Sequence, residues 1–238
     1  MLDFANHKAS ATEEDIKKLC DDVLTHGFNS AFVNPCHVAL ARSIMGTKGK
    51  VGTVVSFPLG QDTLSIKTKT VEEAITDGVD ELDIVPDIGA LLGDEPENLQ
   101  KELTALTNTA KTLKEDIIVK FIIETGIFID EKGKELVPGG VALVKNAAKM
   151  IEASGADFVK LCSGMGKRGV SPNDVVLIRS VVAPEMRVKG AGGIDTREEA
   201  LALMDAGVNR MGTSHAIEII DANPKSSPVE SSKSSIEE

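Results

Sequence analysis

Short apolar runs alternate with longer amphipathic segments along most of the chain. The apolar runs predict strands at residues 30–34, 51–57, 80–85, 117–124, 157–161, 187–190 and 209–212, and residues 2–5 would complete a set of eight. Most of these runs are apolar almost throughout, which is typical of parallel strands that are covered on both faces. Because helical patterns lie between successive runs, the sequence predicts a series of βα units.

The boundaries between helices and strands carry their own signals. Four glycines end an amphipathic segment just before an apolar run: Gly27, Gly78, Gly155 and Gly207. Glycine adopts a positive φ at little cost, so each of them predicts a helix that ends and leads into a strand. Helix starts are predicted at four residues with capping side chains: Thr12, Thr70, Ser171 and Thr196.

Alternating βα units over residues 1–220 predict an α/β fold of the (βα)₈ or TIM barrel type, as a single domain. An open doubly wound sheet is the alternative, because periodicity does not show whether a sheet closes. Residues 221–238 are rich in Ser, Glu and Lys and lack apolar side chains that could dock on a core. They predict a disordered C-terminal tail.

Composition excludes several classes of function. Asp and Glu total 37 against 26 Lys and Arg, and a net charge of −11 repels nucleic acid. The 3 cysteines have no CxxC spacing, which argues against a disulfide framework or a zinc ribbon and favours a reducing compartment. No apolar stretch approaches the roughly 18 residues of a membrane span, and the start lacks a signal-peptide core. We therefore expect a cytoplasmic protein without a membrane partner.

Two lysines are the main candidates for chemistry. Lys160 and Lys189 each end an apolar run that passes directly into glycine-rich chain. A buried ammonium group is costly unless it is paired or used, and a second ammonium nearby lowers the pKa of the first, as a Schiff-base lysine requires. Asp83, within the predicted strand 80–85, is expected as their counter-ion, and with a water it would also relay protons. A purely structural ion pair is the alternative for one lysine, but two inward lysines favour a chemical use.

The remaining polar residues have less specific patterns. Glu124 is expected to support the reactive groups, Lys120 falls earlier in its strand and is expected to be structural, and Cys162 is expected to be a small buried side chain. The histidines show no pair at metal-ligand spacing: His7, His26, His37 and His215. We expect surface or packing positions for them, and neither a metal nor another cofactor.

Glycines follow both lysines and the last predicted strand. The predicted phosphate-binding residues are Gly164, Gly192, Gly193 and Ser214. Backbone N–H groups next to helix N-termini bind phosphate, and the loops after the last two strands of such a barrel are its usual phosphate site. Ordinary turn glycines are the alternative.

Several motifs together resemble the deoxyribose-phosphate aldolase family. They are Gly155-Ala156-Asp157-Phe158-Val159-Lys160, Val188-Lys189-Gly190-Ala191-Gly192-Gly193-Ile194, Glu81-Leu82-Asp83-Ile84-Val85, Ser56-Phe57-Pro58-Leu59-Gly60, Ile122-Ile123-Glu124-Thr125-Gly126 and Ala11-Thr12-Glu13-Glu14-Asp15-Ile16. The resemblance runs from residue 3 to residue 220. It implies a class I aldolase on a (βα)₈ barrel that cleaves 2-deoxy-D-ribose 5-phosphate to D-glyceraldehyde 3-phosphate and acetaldehyde without a metal.

The resemblance also implies a role for individual residues. Lys160 matches the Schiff-base lysine, Lys189 the lysine that lowers its pKa, and Asp83 the proton relay. The matches to phosphate-binding positions are Gly164, Gly192, Gly193 and Ser214. The implied partner is a small phosphorylated sugar, and a homo-oligomer such as a dimer is left open.

The chain departs from the family pattern at three places. After its lysine the family has Thr-Ser-Thr-Gly where this chain has Leu161-Cys162-Ser163-Gly164, which removes hydroxyls expected to line the site. The family's Asp-x-Thr start appears as Asp3-Phe4-Ala5, and its Ser-Ser pair as Ser214-His215. A protonated His215 would compensate by adding charge near a phosphate, so binding would weaken as pH rises. A related class I aldolase for another aldehyde or ketose, and an inactive sugar-phosphate-binding paralogue, are the alternatives.

Overall fold

The computed structural model of the protein describes residues 1–93, 96–130, 132 and 136–221. Its strands are parallel and close into a barrel in chain order, from β1 to β8. They are β1 Leu2–Asn6, β2 Ser30–Val33, β3 Lys50–Val55, β4 Glu81–Ile84, β5 Ile118–Ile123, β6 Phe158–Leu161, β7 Arg187–Ala191 and β8 Arg210–Thr213. The first strand pairs with the last, with Phe4 opposite Thr213. Closure confirms the (βα)₈ barrel and excludes the open sheet.

Helices follow the strands and cover the outside of the barrel. They are α1 Glu13–His26, α2 Val38–Met45, α3 Leu64–Thr76, α4 Ile88–Leu92, α5 Pro96–Leu113, α6 Pro138–Ala153, α7 Pro172–Arg179, α8 Arg197–Asp205 and α9 Ala216–Asp221. In α1, Ile16, Leu19 and Val23 repeat at helical spacing and are buried against the strands. None of the helices in the described ranges is long and apolar enough to cross a bilayer.

Most predicted helix starts are correct. The side chains of Thr12, Ser171 and Thr196 each accept a hydrogen bond from the backbone N–H three residues later. The start predicted at Thr70 is wrong, because α3 already begins after Thr63, whose hydroxyl caps it. Within this helix the Thr70 hydroxyl donates to the carbonyl of Ile66 at 3.0 Å. The Thr-x-x-Glu spacing therefore occurs inside a helix as well as at its start.

The predicted junctions and strand ends agree with the structure to within two residues. The four junction glycines have φ values of 67°, 96°, 80° and 100°, as predicted from their position after a helix. The strand predicted at 51–57 stops at Val55, because Ser56 has a φ of 55° and turns the chain. Of the predicted tail, Asp221 is the last residue of α9, and residues 222–238 lie outside the described part of the chain.

The interior of the barrel is charged, whereas the layer between strands and helices is apolar. Side chains alternate along a strand, so on β4 Glu81 and Asp83 point inward while Leu82 and Ile84 join the outer apolar layer. The fully buried charged side chains include Asp3, Glu81, Asp83 and Lys120. Burying an unpaired charge at this position would cost much free energy, so the inward charged side chains must be paired with each other.

Candidate active site

A cavity of about 530 Å³ opens at the C-terminal ends of the strands. Every residue predicted for chemistry or phosphate binding lines it: Lys160, Lys189, Asp83, Gly164, Gly192, Gly193 and Ser214. In (βα)₈ barrels this face carries the active site. The structure therefore brings these residues together in one place.

Asp83 lies between the two lysines. Its Oδ2 is 2.6 Å from the Nζ of Lys160 and 2.9 Å from the Nζ of Lys189. Lys160 and Lys189 are also directly opposite each other in the pairing of β6 with β7. Because neighbouring parallel strands place paired residues at the same height, their two side chains point into the barrel together.

Two of these residues belong to a closed ring of six alternating charges. We call it the ion-pair ring, made of Asp83, Lys189, Asp3, Arg210, Glu81 and Lys120. Around the ring, the distances are 2.9 Å for Asp83–Lys189, 2.6 Å for Lys189–Asp3, 2.9 Å for Asp3–Arg210, 3.3 Å for Arg210–Glu81, 2.7 Å for Glu81–Lys120 and 3.0 Å for Lys120–Asp83. The carboxylates and the cations of the ring are equal in number. Lys160, which touches the ring through Asp83, is an additional cation.

Burial and this arrangement of charges together set the protonation of Lys160. Burial lowers the pKa of Lys160 to about 8, the charges of Lys189 and Lys120 add to the effect, and Asp83 opposes it. A protonated Lys160 is the charge that the ring does not balance. Near neutral pH, Lys160 therefore has access to its neutral, nucleophilic form.

The carboxylates of the ring stay ionised. Burial alone would raise the pKa of Asp83, but the charges of Lys120, Lys160 and Lys189 outweigh it and hold this pKa well below its usual range. For Asp3, burial also acts to raise the pKa, but the charges of Lys189, Lys120 and Arg210 outweigh burial, so that this pKa falls to about 2. In the resting site, Asp83 is thus a hydrogen-bond acceptor between two amines.

Phenylalanine rings contact the buried ammonium groups. The Nζ of Lys189 lies 3.7 Å from the ring centroid of Phe32, and that of Lys160 lies 5.8 Å from the ring centroid of Phe57. Cations are attracted to aromatic faces, so these rings stabilise ammonium groups in a dry interior. Phe32 requires glycine at position 52, since a Cβ there would lie 2.3 Å from its Cζ.

The glycine loops form the other end of the cavity. Gly164 and Gly192 have φ values of 85° and 79°, and a Cβ at position 192 would lie 2.7 Å from the Cα of Gly164. Glycine is therefore required where the two loops meet. Close by, Nδ1 of His215 lies 3.0 Å from Oδ1 of Asp195. Asp195, which the sequence analysis overlooked, lines the cavity and brings a carboxylate to this end.

Two residues of the first departure from the family pattern, Leu161 and Cys162, do not change the lining. Leu161 points away from the cavity into the outer apolar layer, and Cys162 is fully buried with its Sγ 3.0 Å from Oγ1 of Thr125. The expectation that lost hydroxyls at these positions alter the site is wrong, because strand alternation turns Leu161 outward when Lys160 points inward. Burial raises the pKa of Cys162 to about 12, as suits a small buried thiol. Ser163 and Ala5 do line the cavity.

Glu124 and Lys120 support the site from behind. Oε2 of Glu124 accepts the backbone N–H of Ser163 at 2.8 Å, and so fixes the loop that follows Lys160. Lys120 is buried below the cavity, in agreement with a structural position. Its direct contact with Asp83 was not predicted.

Sequence reasoning also missed Asp3, Glu81, Arg210 and His7. Alternation along β4 and β1 offered a signal for two of them, because Glu81 lies two residues before Asp83 and Asp3 two residues before Ala5. His7 follows β1 and lines the cavity. A lone histidine without a metal-ligand pattern gave no signal for that position.

Comparisons with known proteins agree with this geometry. A family model described as DeoC/LacD family aldolase matches residues 3–214. The deoxyribose-phosphate aldolase of Thermococcus kodakarensis is 39% identical over 226 residues, which cover 94% of this chain and 95% of that one. Among solved structures, the aldolase QR15 is 33% identical with a TM-score of 0.81 and covers 91% of both chains. The tetrameric deoxyribose phosphate aldolase of Aeropyrum pernix is 28% identical with a TM-score of 0.81, covering 92% of this chain and 87% of that one. The match spans the whole barrel together with its lysines, and the chain belongs to the DeoC/LacD family of aldolases.

Proposed function

We propose that this protein is a class I deoxyribose-phosphate aldolase, which cleaves 2-deoxy-D-ribose 5-phosphate to D-glyceraldehyde 3-phosphate and acetaldehyde through a Schiff base on Lys160. One observation carries the proposal. Lys160 is the additional cation beside a balanced ion-pair ring, it lines the cavity, and its pKa falls to about 8. A buried amine that loses its proton near neutrality is suited to attack a carbonyl.

The reaction begins when the neutral amine of Lys160 attacks C1 of the open-chain aldehyde. Loss of water forms an imine, and its protonated form withdraws electrons from the sugar chain. The C3 hydroxyl then loses its proton and the C2–C3 bond breaks, so that glyceraldehyde 3-phosphate leaves and an enamine stays on Lys160. C2 of the enamine takes up a proton, and water hydrolyses the resulting imine to acetaldehyde and free amine.

Asp83 and Lys189 are assigned to the proton transfers. Asp83 contacts both amines, at 2.6 Å and 2.9 Å, and is a carboxylate in the resting site. With a water in the cavity, it takes up a proton transiently and, together with Lys189, passes protons between substrate and solvent. Gly164, Gly192, Gly193 and Ser214 are assigned to the phosphate, to which they would donate N–H and O–H hydrogen bonds.

Reductive trapping tests this function. The protein is incubated with acetaldehyde and borohydride, and the expected result is one added ethyl group at Lys160, located by peptide mass mapping. Lys149→Leu, at an exposed lysine of α6, is the control and should trap like the wild type. Absence of the adduct favours the inactive paralogue, and an adduct on Lys189 contradicts the assignment of the nucleophile.

A related aldolase with another substrate is the second candidate, and Asp195 favours it. A carboxylate that lines the cavity next to the glycine loops repels a phosphate when it is not neutralised. Comparing kcat/KM for 2-deoxyribose with that for its 5-phosphate separates the candidates. A preference for the phosphorylated sugar supports the first, and a preference for the free sugar supports the second.

We also propose a cellular location and an oligomeric state for this protein. The odd set of cysteines without CxxC spacing favours the reducing cytoplasm as the location. A homo-oligomer is proposed, as a dimer or as a tetramer like that of the Aeropyrum pernix protein. Light scattering coupled to size-exclusion chromatography distinguishes these from a monomer.

A further inference from the structure

His7 is a polar side chain at the cavity that belongs to neither the ion-pair ring nor the glycine loops. It lines the cavity, and its ring centroid lies 6.5 Å from that of Phe32 and 5.3 Å from that of Phe57. Its Nδ1 is buried and has no hydrogen-bond partner among the described residues, although the ring has a side-chain hydrogen bond with Asn34. One ring nitrogen therefore retains hydrogen-bonding capacity that the described part of the protein does not use.

The position of His7 is between the two ends of the cavity. Because β1 pairs with β8, with Phe4 opposite Thr213, the chain after Phe4 runs beside Ser214 at the phosphate end. On its other side, His7 contacts Phe57, whose ring centroid lies 5.8 Å from the Nζ of Lys160. A sugar that reaches from Lys160 to the glycine loops places its hydroxyl-bearing carbons in this middle part.

The charge state of His7 suits a hydroxyl. Burial lowers the pKa of His7 to about 3 and the charges of Lys160 and Lys189 add to the effect, whereas Asp83 and the hydrogen bond with Asn34 oppose it. The ring is thus neutral at physiological pH, with one nitrogen that donates and one that accepts. A hydroxyl group also donates and accepts, so it can pair with the unpartnered Nδ1 in either tautomer of the ring.

We propose that His7 is a specificity-determining residue that hydrogen-bonds a hydroxyl group of the sugar, between the carbon that reacts with Lys160 and the phosphate. The inference rests on the proposed function, which defines how the sugar lies in the cavity. Sites that hydrogen-bond a substrate hydroxyl discriminate strongly against analogues that lack it. His7 would thereby favour hydroxylated substrates over simple aldehydes.

Two reactions of the same enzyme separate this role from an effect on Lys160. Cleavage of 2-deoxyribose 5-phosphate uses the substrate hydroxyls, whereas exchange of the methyl hydrogens of acetaldehyde with deuterium from solvent uses only imine and enamine formation. For His7→Leu we expect kcat/KM for cleavage to fall about tenfold, as for the loss of one buried hydrogen bond, with the exchange rate unchanged. His7→Gln, which restores a donor and an acceptor, should recover part of the cleavage activity.

His26→Leu is the matched control. His26 ends α1, and its ring stacks on that of Phe28 with the centroids 5.5 Å apart, away from the residues that line the cavity. The His26→Leu variant should therefore cleave the sugar phosphate and exchange acetaldehyde hydrogens at the wild-type rates. Wild-type cleavage by His7→Leu would show that His7 only packs, and an equal loss in both reactions would show that it acts through Lys160. A glutamine variant no better than leucine would exclude a hydrogen bond. Each of these overturns the inference alone, whereas a wild type that exchanges acetaldehyde but does not cleave the sugar phosphate contradicts the proposed function, and this inference with it.

Discussion

The Nζ of Lys160 lies 2.6 Å from Oδ2 of Asp83, yet the pKa of Lys160 falls to about 8. A carboxylate at this distance normally raises the pKa of an amine. Here burial is the largest influence on Lys160, and Lys189 and Lys120 already share the charge of Asp83. The pair is therefore a contact between a relay and a nucleophile rather than a stabilising salt bridge.

Replacing Lys160 should stabilise the fold while it removes the chemistry. Lys160→Met should abolish borohydride trapping with acetaldehyde and raise the free energy of unfolding at pH 7. A change in pKa from 10.5 to about 8 corresponds to at most about 3 kcal/mol. Chemical denaturation of both proteins measures the difference.

The pH dependence of that difference has a definite sign. Between pH 8 and pH 10.5 unfolded wild type binds the Lys160 proton that the folded protein has lost, so wild-type stability rises with pH in this window. The stability gain of Lys160→Met is fully present below pH 8 and should disappear towards pH 10.5. A gain that is constant with pH would contradict the lowered pKa.

Lys189→Leu should move the pH profile of the enzyme upward. Lys189 separates Asp3 from Asp83, so its removal leaves two carboxylates to be balanced by fewer cations, and the pKa of Lys160 rises. Activity at neutral pH should fall sharply and recover in part at higher pH. The pH profile of kcat/KM measures this, with Lys149→Leu as the control, and an unchanged profile would remove Lys189 from the role.

Glu81→Gln should have the opposite effect on the profile. It removes a carboxylate of the ion-pair ring, which leaves Lys120 and Arg210 undercompensated and should lower the pKa of Lys160 further. The alkaline shift of Lys189→Leu and the acid shift of Glu81→Gln test the charge balance as a pair. Because one partner of buried ion pairs is lost, we also expect a stability loss of about 3 kcal/mol in chemical denaturation. If the pH profiles of both variants moved in the same direction, the charges of the ion-pair ring would not set the pKa of Lys160 in this way.

The sequence was sufficient for the order and the approximate bounds of the strands, because their signals are local. Strand runs, junction glycines such as Gly27 and caps such as Thr12 each depend on a few neighbouring residues, and these three kinds of signal agree with the structure at most positions. Thr70 failed because a local capping pattern does not exclude a helix that began earlier, at Leu64. Closure of the barrel is a property of the register between the first and last strands, which no local pattern contains.

The candidate site could be predicted only in part, for the same reason. Lys160, Lys189 and Asp83 stand out because each is a charge within an apolar run, and the structure brings them together. The ring contacts of Arg210 with residues of β1 and β4 depend on which strands lie near each other across the barrel. The pairing of His215 with Asp195 likewise joins residues that follow different strands.

That pairing gives the last prediction, on phosphate binding. His215 was expected to meet the phosphate itself, but its Nδ1 lies 3.0 Å from Asp195, which lines the cavity. The Asp195 carboxylate lies at the end of the cavity that is assigned to the phosphate, and two negative charges repel each other. We therefore expect this carboxylate to raise KM for 2-deoxyribose 5-phosphate severalfold.

Two variants determine whether Asp195 mediates the effect. Asp195→Asn should have a lower KM than the wild type because the amide carries no charge, whereas His215→Ser, which keeps the carboxylate, should not lower KM. The unphosphorylated sugar is the control substrate, and its KM should stay constant in all three proteins. If Asp195→Asn has the same KM for the phosphorylated sugar as the wild type, the Asp195 carboxylate does not repel the phosphate, and if His215→Ser lowers KM as much as Asp195→Asn does, the charge of Asp195 is not the cause.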